Sequence, residues 1–158
     1  MTYYKAPSAD IIGNVHMGEN SSVFFHAVIR ADENHIYIGN NTNVQDGVVI
    51  HTDPDRVVRI GDFVTIGHGA IIHGCEIEDG ALIGMGCIIM NGAKIGRGAT
   101  VGAGALVTEN TVVPEGAVVV GVPGKAIKIL SEEEIKINWE HALDYVELAR
   151  KDLIEVSE

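Results

Sequence analysis

Aliphatic residues recur along this chain at a spacing of six. The series Ile60, Ile66, Ile72, Ile77, Ile83, Ile89, Ile95, Val101, Val107, Val113 and Val119 breaks step once, between Ile72 and Ile77. The same spacing opens the chain in Met17, Val23 and Ile29, and again in Ile38, Val44 and Ile50. Two short insertions, residues 31–37 and 52–59, separate these groups. Four places after most of these aliphatics stands a small or β-branched residue, among them Ala27, Val48, Ala70, Cys87 and Ala99. One large and one small inward position in each hexad is neither a helical period nor a simple alternation. The pattern predicts short strands joined by tight corners, three to a coil, stacked as a parallel β-helix. Glycine one place after many aliphatics, as at Gly18, Gly39, Gly67 and Gly84, predicts corners with unusual backbone angles. Cys87 falls in the small-residue column and Cys75 in the shortened hexad, so both read as core filler.

From about residue 131 the period changes. Ser131 followed by Glu134 is a capping box, and Ile135, Trp139, Ala142, Val146, Ala149 and Leu153 recur at helical spacing. A helix over about 132–154 is expected, its apolar face laid on the coils or on a neighbouring subunit. The chain thus divides into a β-helix domain over 1–125 and a C-terminal helix over 126–158.

Composition narrows the partners. Lys and Arg total 11 against 22 Asp and Glu, a net charge of −11, which repels phosphate backbones and anionic lipid. Neither nucleic acid nor a membrane is an expected partner. No apolar run reaches transmembrane length, and the opening "MTYYKAPSAD" lacks a signal-peptide core, so a cytoplasmic protein is predicted. Two cysteines without a CxxC pairing fit a reducing compartment.

The histidines carry the candidate chemistry. Grouping hexads by threes places Arg30, His51 and His73 at equivalent positions, one place after the aliphatic of the third hexad. They should stack in one column about 4.8 Å apart. Asp46 and His68 form a second column at a different corner. One chain would struggle to bring both corners to one ion, whereas prisms packed around a threefold axis would set one subunit's first column against the next subunit's second. Three neutral imidazoles suit Zn²⁺ and leave a fourth position open, the arrangement of a catalytic site. Fe²⁺ or Co²⁺ could take the same ligands. His16, His26, His35 and His141 show no such register and read as surface or structural residues.

The blocks "VIRADE" (28–33), "NVQDGVVIH" (43–51), "TIGH" (65–68) and "IIHGC" (71–75), in this order, resemble the γ-class carbonic anhydrase family. The resemblance spans nearly the whole chain and implies a left-handed β-helix, a homotrimer and hydration of CO₂ to bicarbonate. It matches His51, His68 and His73 to the zinc ligands. It matches Arg30, Asp32 and Asp46 to a charged network across the subunit interface, and Gln45 to the residue that hydrogen-bonds the reacting water. Glu33 falls at a glutamate used in proton transfer, and Asn43 at an asparagine near the site. One departure is plain: "TDPDRVVR" (52–59) is too short for the family's long acidic loop and has no glutamate, as in the short-loop branch often described as transferases.

Two other function classes remain open at this stage. Acyl transfer from a coenzyme A thioester is suggested by "GVPGK" (121–125), which resembles the segment after the last coil of hexapeptide acyltransferases; as a plain Pro/Gly exit turn it needs no such role. Thioester hydrolysis at the same metal is related. A metal-bearing scaffold with little turnover is the third reading.

Overall fold

The computed structural model describes residues 1–157. The chain winds through about six turns of a three-faced β-helix, with one helix laid along it. The first face stacks the parallel strands Ser22–Val23, Asn43–Val44, Thr65–Ile66, Leu82–Ile83 and Thr100–Val101, with Thr2–Lys5 at one end and Ala117–Val120 at the other. The second face carries Val49–His51, Ile71–His73, Ile88–Ile89 and Leu106–Val107. The third carries Val58–Ile60, Glu76–Ile77, Lys94–Ile95 and Val112–Val113. Strand Val28–Ile38 belongs to two faces, since its first residues pair with Val49–His51 and its last with Val58–Ile60. The insertion at 31–37 is therefore strand that turns a corner, not a loop. Residues after His51 do leave the prism, in a tight turn closed by the Asp53–Arg56 bridge.

The periodic aliphatics fill the interior: Ile29, Ile50, Ile66, Ile72, Ile83, Ile89 and Ile95 are fully buried. Each such side chain contributes roughly 1.5–3 kcal/mol of burial. Facing them, Ala27, Ala70, Cys87 and Ala99 are equally enclosed, so a larger residue there would have to displace the ladder. Burial pushes the Cys75 thiol up to about 12 and raises Cys87 as well. Both remain unreactive thiols at neutral pH.

The glycines one place after the aliphatics have a different purpose from the one expected. None of Gly18, Gly39, Gly67 or Gly84 has a positive φ. A Cβ at Gly67 would lie 2.7 Å from the Ile83 carbonyl oxygen, and one at Gly84 2.6 Å from the Ala103 nitrogen. These positions are glycine because adjacent coils touch there. Left-handed backbone occurs two places later in the hexad, as at Gly69 (φ 68°), and even at Phe63 (φ 55°).

The helix spans Glu132–Asp152. Ser131 Oγ accepts from the Glu134 N–H at 3.2 Å, and Glu134 Oε2 accepts from the Ser131 N–H at 2.8 Å. Its buried residues are Ile135, Asn138, Ala142, Val146 and Ala149, which face the first face of its own prism. Trp139 is only half-buried and stacks on Phe63, ring centroids 4.7 Å apart. The helix ends two residues earlier than its apolar spacing suggested, because Ile154–Ser157 turns back as a strand antiparallel to Thr2–Lys5. At the other end, "GVPGK" makes the exit turn, with a cis Val122–Pro123 bond, into strand Lys125–Ile129, which pairs antiparallel with Ala117–Val120. Among the described residues no helix is long and apolar enough to cross a membrane.

Candidate metal centre

Strand register aligns Arg30 with His51 and His51 with His73. The two histidines end second-face strands, where alternation has already turned Ile50 and Ile72 inward, so both imidazoles stand at the corner. His51 Nδ1 lies 3.1 Å from His73 Nε2, and the rings are tilted by 65°.

The outer nitrogens constrain the protonation pattern. Asn91 Nδ2 donates to Asp53 Oδ2 at 2.7 Å, so the Asn91 carbonyl oxygen is what faces His73 Nδ1, at 2.6 Å. That nitrogen must donate. His51 Nε2 stands 2.9 Å from the Asp32 carboxylate, which can only accept, so it donates too. Two bare nitrogens, His51 Nδ1 and His73 Nε2, are left facing each other across 3.1 Å. Lone pairs so placed repel unless a shared proton or a metal cation sits against both. Ligands about 2.0–2.1 Å from a tetrahedral zinc are about 3.3 Å apart, so the pair fits that ion. Among the described residues of one chain, no group of three His, Cys, Asp or Glu side chains could hold a metal.

His68 follows the first-face strand Thr65–Ile66 and stands at another corner. Its Nδ1 lies 2.8 Å from Asp46 Oδ2, so with that nitrogen donating, Nε2 is the one available to a ligand. Its side chain is 46% exposed, whereas that of His51 is 16% exposed. The structure therefore brings His51 and His73 together and keeps His68 apart from them.

The remaining candidates divide between the corners. Arg30 pairs with Asp32 within the chain. Desolvation pushes the other way, but hydrogen bonds from His51 and Arg30 hold the Asp32 carboxyl below the usual carboxylate range. Glu33 is exposed, its Oε2 4.0 Å from His51 Nε2. Gln45 is buried, and its Nε2 donates to Asn43 Oδ1 at 3.0 Å. Asn43 Nδ2 in turn donates to Thr65 Oγ1 at 3.0 Å, and Thr65 Oγ1 lies 3.2 Å from His141 Nδ1. Gln45, His68 and His141 line one groove of about 430 Å³ between the first face and the helix. Asn91 and Asp53 escaped the sequence reading, although Asp53 also keeps its Oδ1 buried without a hydrogen-bond partner. Their signal was faint: Asn91 stands one place off the histidine column in the next coil, and Asp53 lies in an insertion without register.

A family model described as bacterial transferase hexapeptide (six repeats) matches residues 74–109. A probable carbonic anhydrase of Methanocaldococcus jannaschii is 56% identical over 144 residues, covering 91% of each chain. The mitochondrial gamma carbonic anhydrase 2 of Arabidopsis thaliana is 40% identical over 93% of this chain, which spans 55% of that longer protein. Among solved structures, a putative acetyltransferase of Bacillus cereus superposes with a TM-score of 0.86 at 40% identity, covering 94% of this chain and 90% of that one.

Proposed function

This chain belongs to the γ-class carbonic anhydrase family and is a lyase of that type, and we propose that it interconverts CO₂ and bicarbonate at a metal centre completed between subunits of a homotrimer. The observation that carries this reading is the pair of bare imidazole nitrogens 3.1 Å apart, each ring held from behind by an acceptor. His51 and His73 of one subunit and His68 of the next would hold Zn²⁺, with Fe²⁺ or Co²⁺ as substitutes. A divalent ion there supplies the Lewis acidity that makes water nucleophilic near neutral pH.

The chain's own residues do the rest. Asp32 and Asn91 keep the two rings in the tautomers that leave nitrogens for the ion, and Asp46 does the same for His68. Gln45, its amide fixed by Asn43, orients the reacting water beside His68. Arg30, already tied to Asp32, helps hold the subunits in register. Glu33, exposed behind His51, offers protons one way to bulk water.

The second face supports the trimer. Val49, Ile71 and Ile88 pair in register and are each about 40% exposed, an apolar ladder beside the histidine column. Equivalent third-face positions carry Arg59, Glu76 and Lys94, the polar surface of a face left to solvent. A second copy covering the ladder is the partner that would bring its His68 to the corner.

Stopped-flow CO₂ hydration by zinc- and iron-loaded protein tests this reading. Hydration is expected, with loss on chelation and in His68→Ala. Acetyl-CoA-dependent product formation insensitive to chelation would favour acyl transfer instead, the reading suggested by the acetyltransferase neighbour. Stoichiometric metal with neither activity would leave a scaffold.

A further inference from the structure

We infer that a groove on the third face, anchored by Arg56, binds a small phosphate-bearing anion, either inorganic phosphate or the phosphate of a monoester. The groove holds about 450 Å³ and lies between the turn after His51 and the outward column of the third face. That column sets Arg59, Glu76, Lys94 and Val112 in register, so at about 4.8 Å a rung the groove runs about 14 Å. It shares no residue with the first-face groove that holds Gln45 and His68.

The arginines single this place out. The chain has five. Among the described residues, Arg30 pairs with Asp32, Arg97 with Glu115 and Arg150 with Glu147. Arg56 and Arg59 have no carboxylate partner within the chain, although Asp and Glu outnumber Lys and Arg by 22 to 11, and both line this groove. Three cationic side chains face it against two carboxylates, the reverse of the balance over the whole chain.

The two side chains are also held. Gly74 and Gly92 turn the corner with φ of 52° and 73°, and Arg56 runs over both. A Cβ at Gly74 would lie 3.3 Å from Arg56 Cβ, and one at Gly92 would lie 2.8 Å from Arg56 Nη1. Asn110 Oδ1 crowds the same point at Gly92. The Arg56 N–H donates to the Asp53 carbonyl oxygen at 3.2 Å, which fixes the base of the side chain. Arg59 lies over the Tyr37 ring, its Cζ 4.6 Å from the centroid, and Tyr37 stacks in turn on His16. A guanidinium laid out this way loses little freedom on meeting an anion and offers parallel N–H donors that match phosphate oxygens.

The rest of the lining defines the ligand. Lys94 Nζ is 3.1 Å from Glu78 Oε1, so its charge is already answered. Asp55 and Glu76 face the groove as well, and with the acidic surface beyond them they turn away a polyanion while leaving room for a single phosphate. Val57, Ala93 and the exposed Val112 form an apolar wall on which the organic part of a monoester can lie. Cys75 sits beneath, its thiol pushed up to about 12 by burial, so it supplies no thiolate and the anion is held without being transformed.

The test follows amide and arginine side-chain resonances of the metal-loaded full chain during titration with inorganic phosphate and, separately, phenyl phosphate, at fixed ionic strength. Dissociation constants of about 0.1–1 mM are expected, with the largest shifts at Arg56. Arg56→Gln should weaken binding about tenfold, and Arg56→Lys, which keeps the charge and loses the fork, about threefold. Arg59→Gln should cost about threefold. Arg97→Gln, which removes a paired arginine outside the groove, should change nothing. All four residues lie outside the core, so circular dichroism should show the fold intact. Tighter binding of phenyl phosphate identifies a monoester as the ligand, and equal binding identifies the free ion. An affinity untouched by Arg56→Gln overturns the inference. Binding that vanishes on chelation belongs to the metal centre and overturns it too, as does an equal affinity for chloride, which marks an adventitious ion only.

Discussion

The two histidine corners of one subunit are built to different degrees. At the second-face corner, His51 and His73 touch each other, and Asp32, Asn91 and Asp53 support them from behind. At the first-face corner His68 stands half exposed with Asp46 as its hydrogen-bond partner. The His51–His73 corner is organised within one chain, while in the proposed trimer the His68 corner would be completed by another copy. In the proposed trimer a site divided this way would tie chemistry to assembly, because one chain holds the three histidines without bringing them together.

The largest effect should separate the corners directly. A four-ligand zinc site worth about 10–16 kcal/mol assigns each ligand roughly 3–4 kcal/mol, or about a hundred- to a thousandfold in affinity. Chelator competition should show His73→Ala at the upper end, since it also removes the neighbour of His51 and leaves Asn91 without its ring. His68→Ala, which keeps the preformed pair, should lose less. Equal losses would mean that the closed corner is not preorganised.

Next comes the support behind the rings. Asn91→Ala should weaken metal retention about 10- to 100-fold with the trimer intact, because His73 loses the acceptor that fixes its tautomer. An unchanged affinity would remove Asn91 from the site. Exchange between subunits sharpens the comparison further. When His51→Ala and His68→Ala chains are mixed at equal amounts and reassorted, about a quarter of junctions should pair an intact closed corner with an intact His68. Activity should return to about that fraction, and none should return if each chain uses only its own ligands. Smallest of all, Asp46→Ala should cost a few-fold at most, since its partner is solvated and water can replace it.

Much of this arrangement is legible in the sequence because a coil converts spacing into height. Ile50 and Ile72 are equivalent inward residues, so His51 and His73 must stack, whatever the exact corner geometry. The same arithmetic puts His68 elsewhere. It fails where register is broken: Asp53 lies in the turn after His51, and no count of hexads places it against Asn91. It also fails across layers, since nothing in helical spacing says that His141 meets Thr65 on the prism. Spacing found the glycines that follow the aliphatics but not their reason, because close approach of backbones leaves the same residue type as a left-handed turn.

Those crowded glycines have one more consequence. Since Gly67 and Gly84 let successive coils rest backbone on backbone, the pitch of the stack is set by main chain and is insensitive to what the outward side chains are. The prism then behaves as a ruler with interchangeable graduations. A whole coil could be spliced in or out beyond Gly92, lengthening or shortening the molecule, without altering the span across which His51 and His73 face one another.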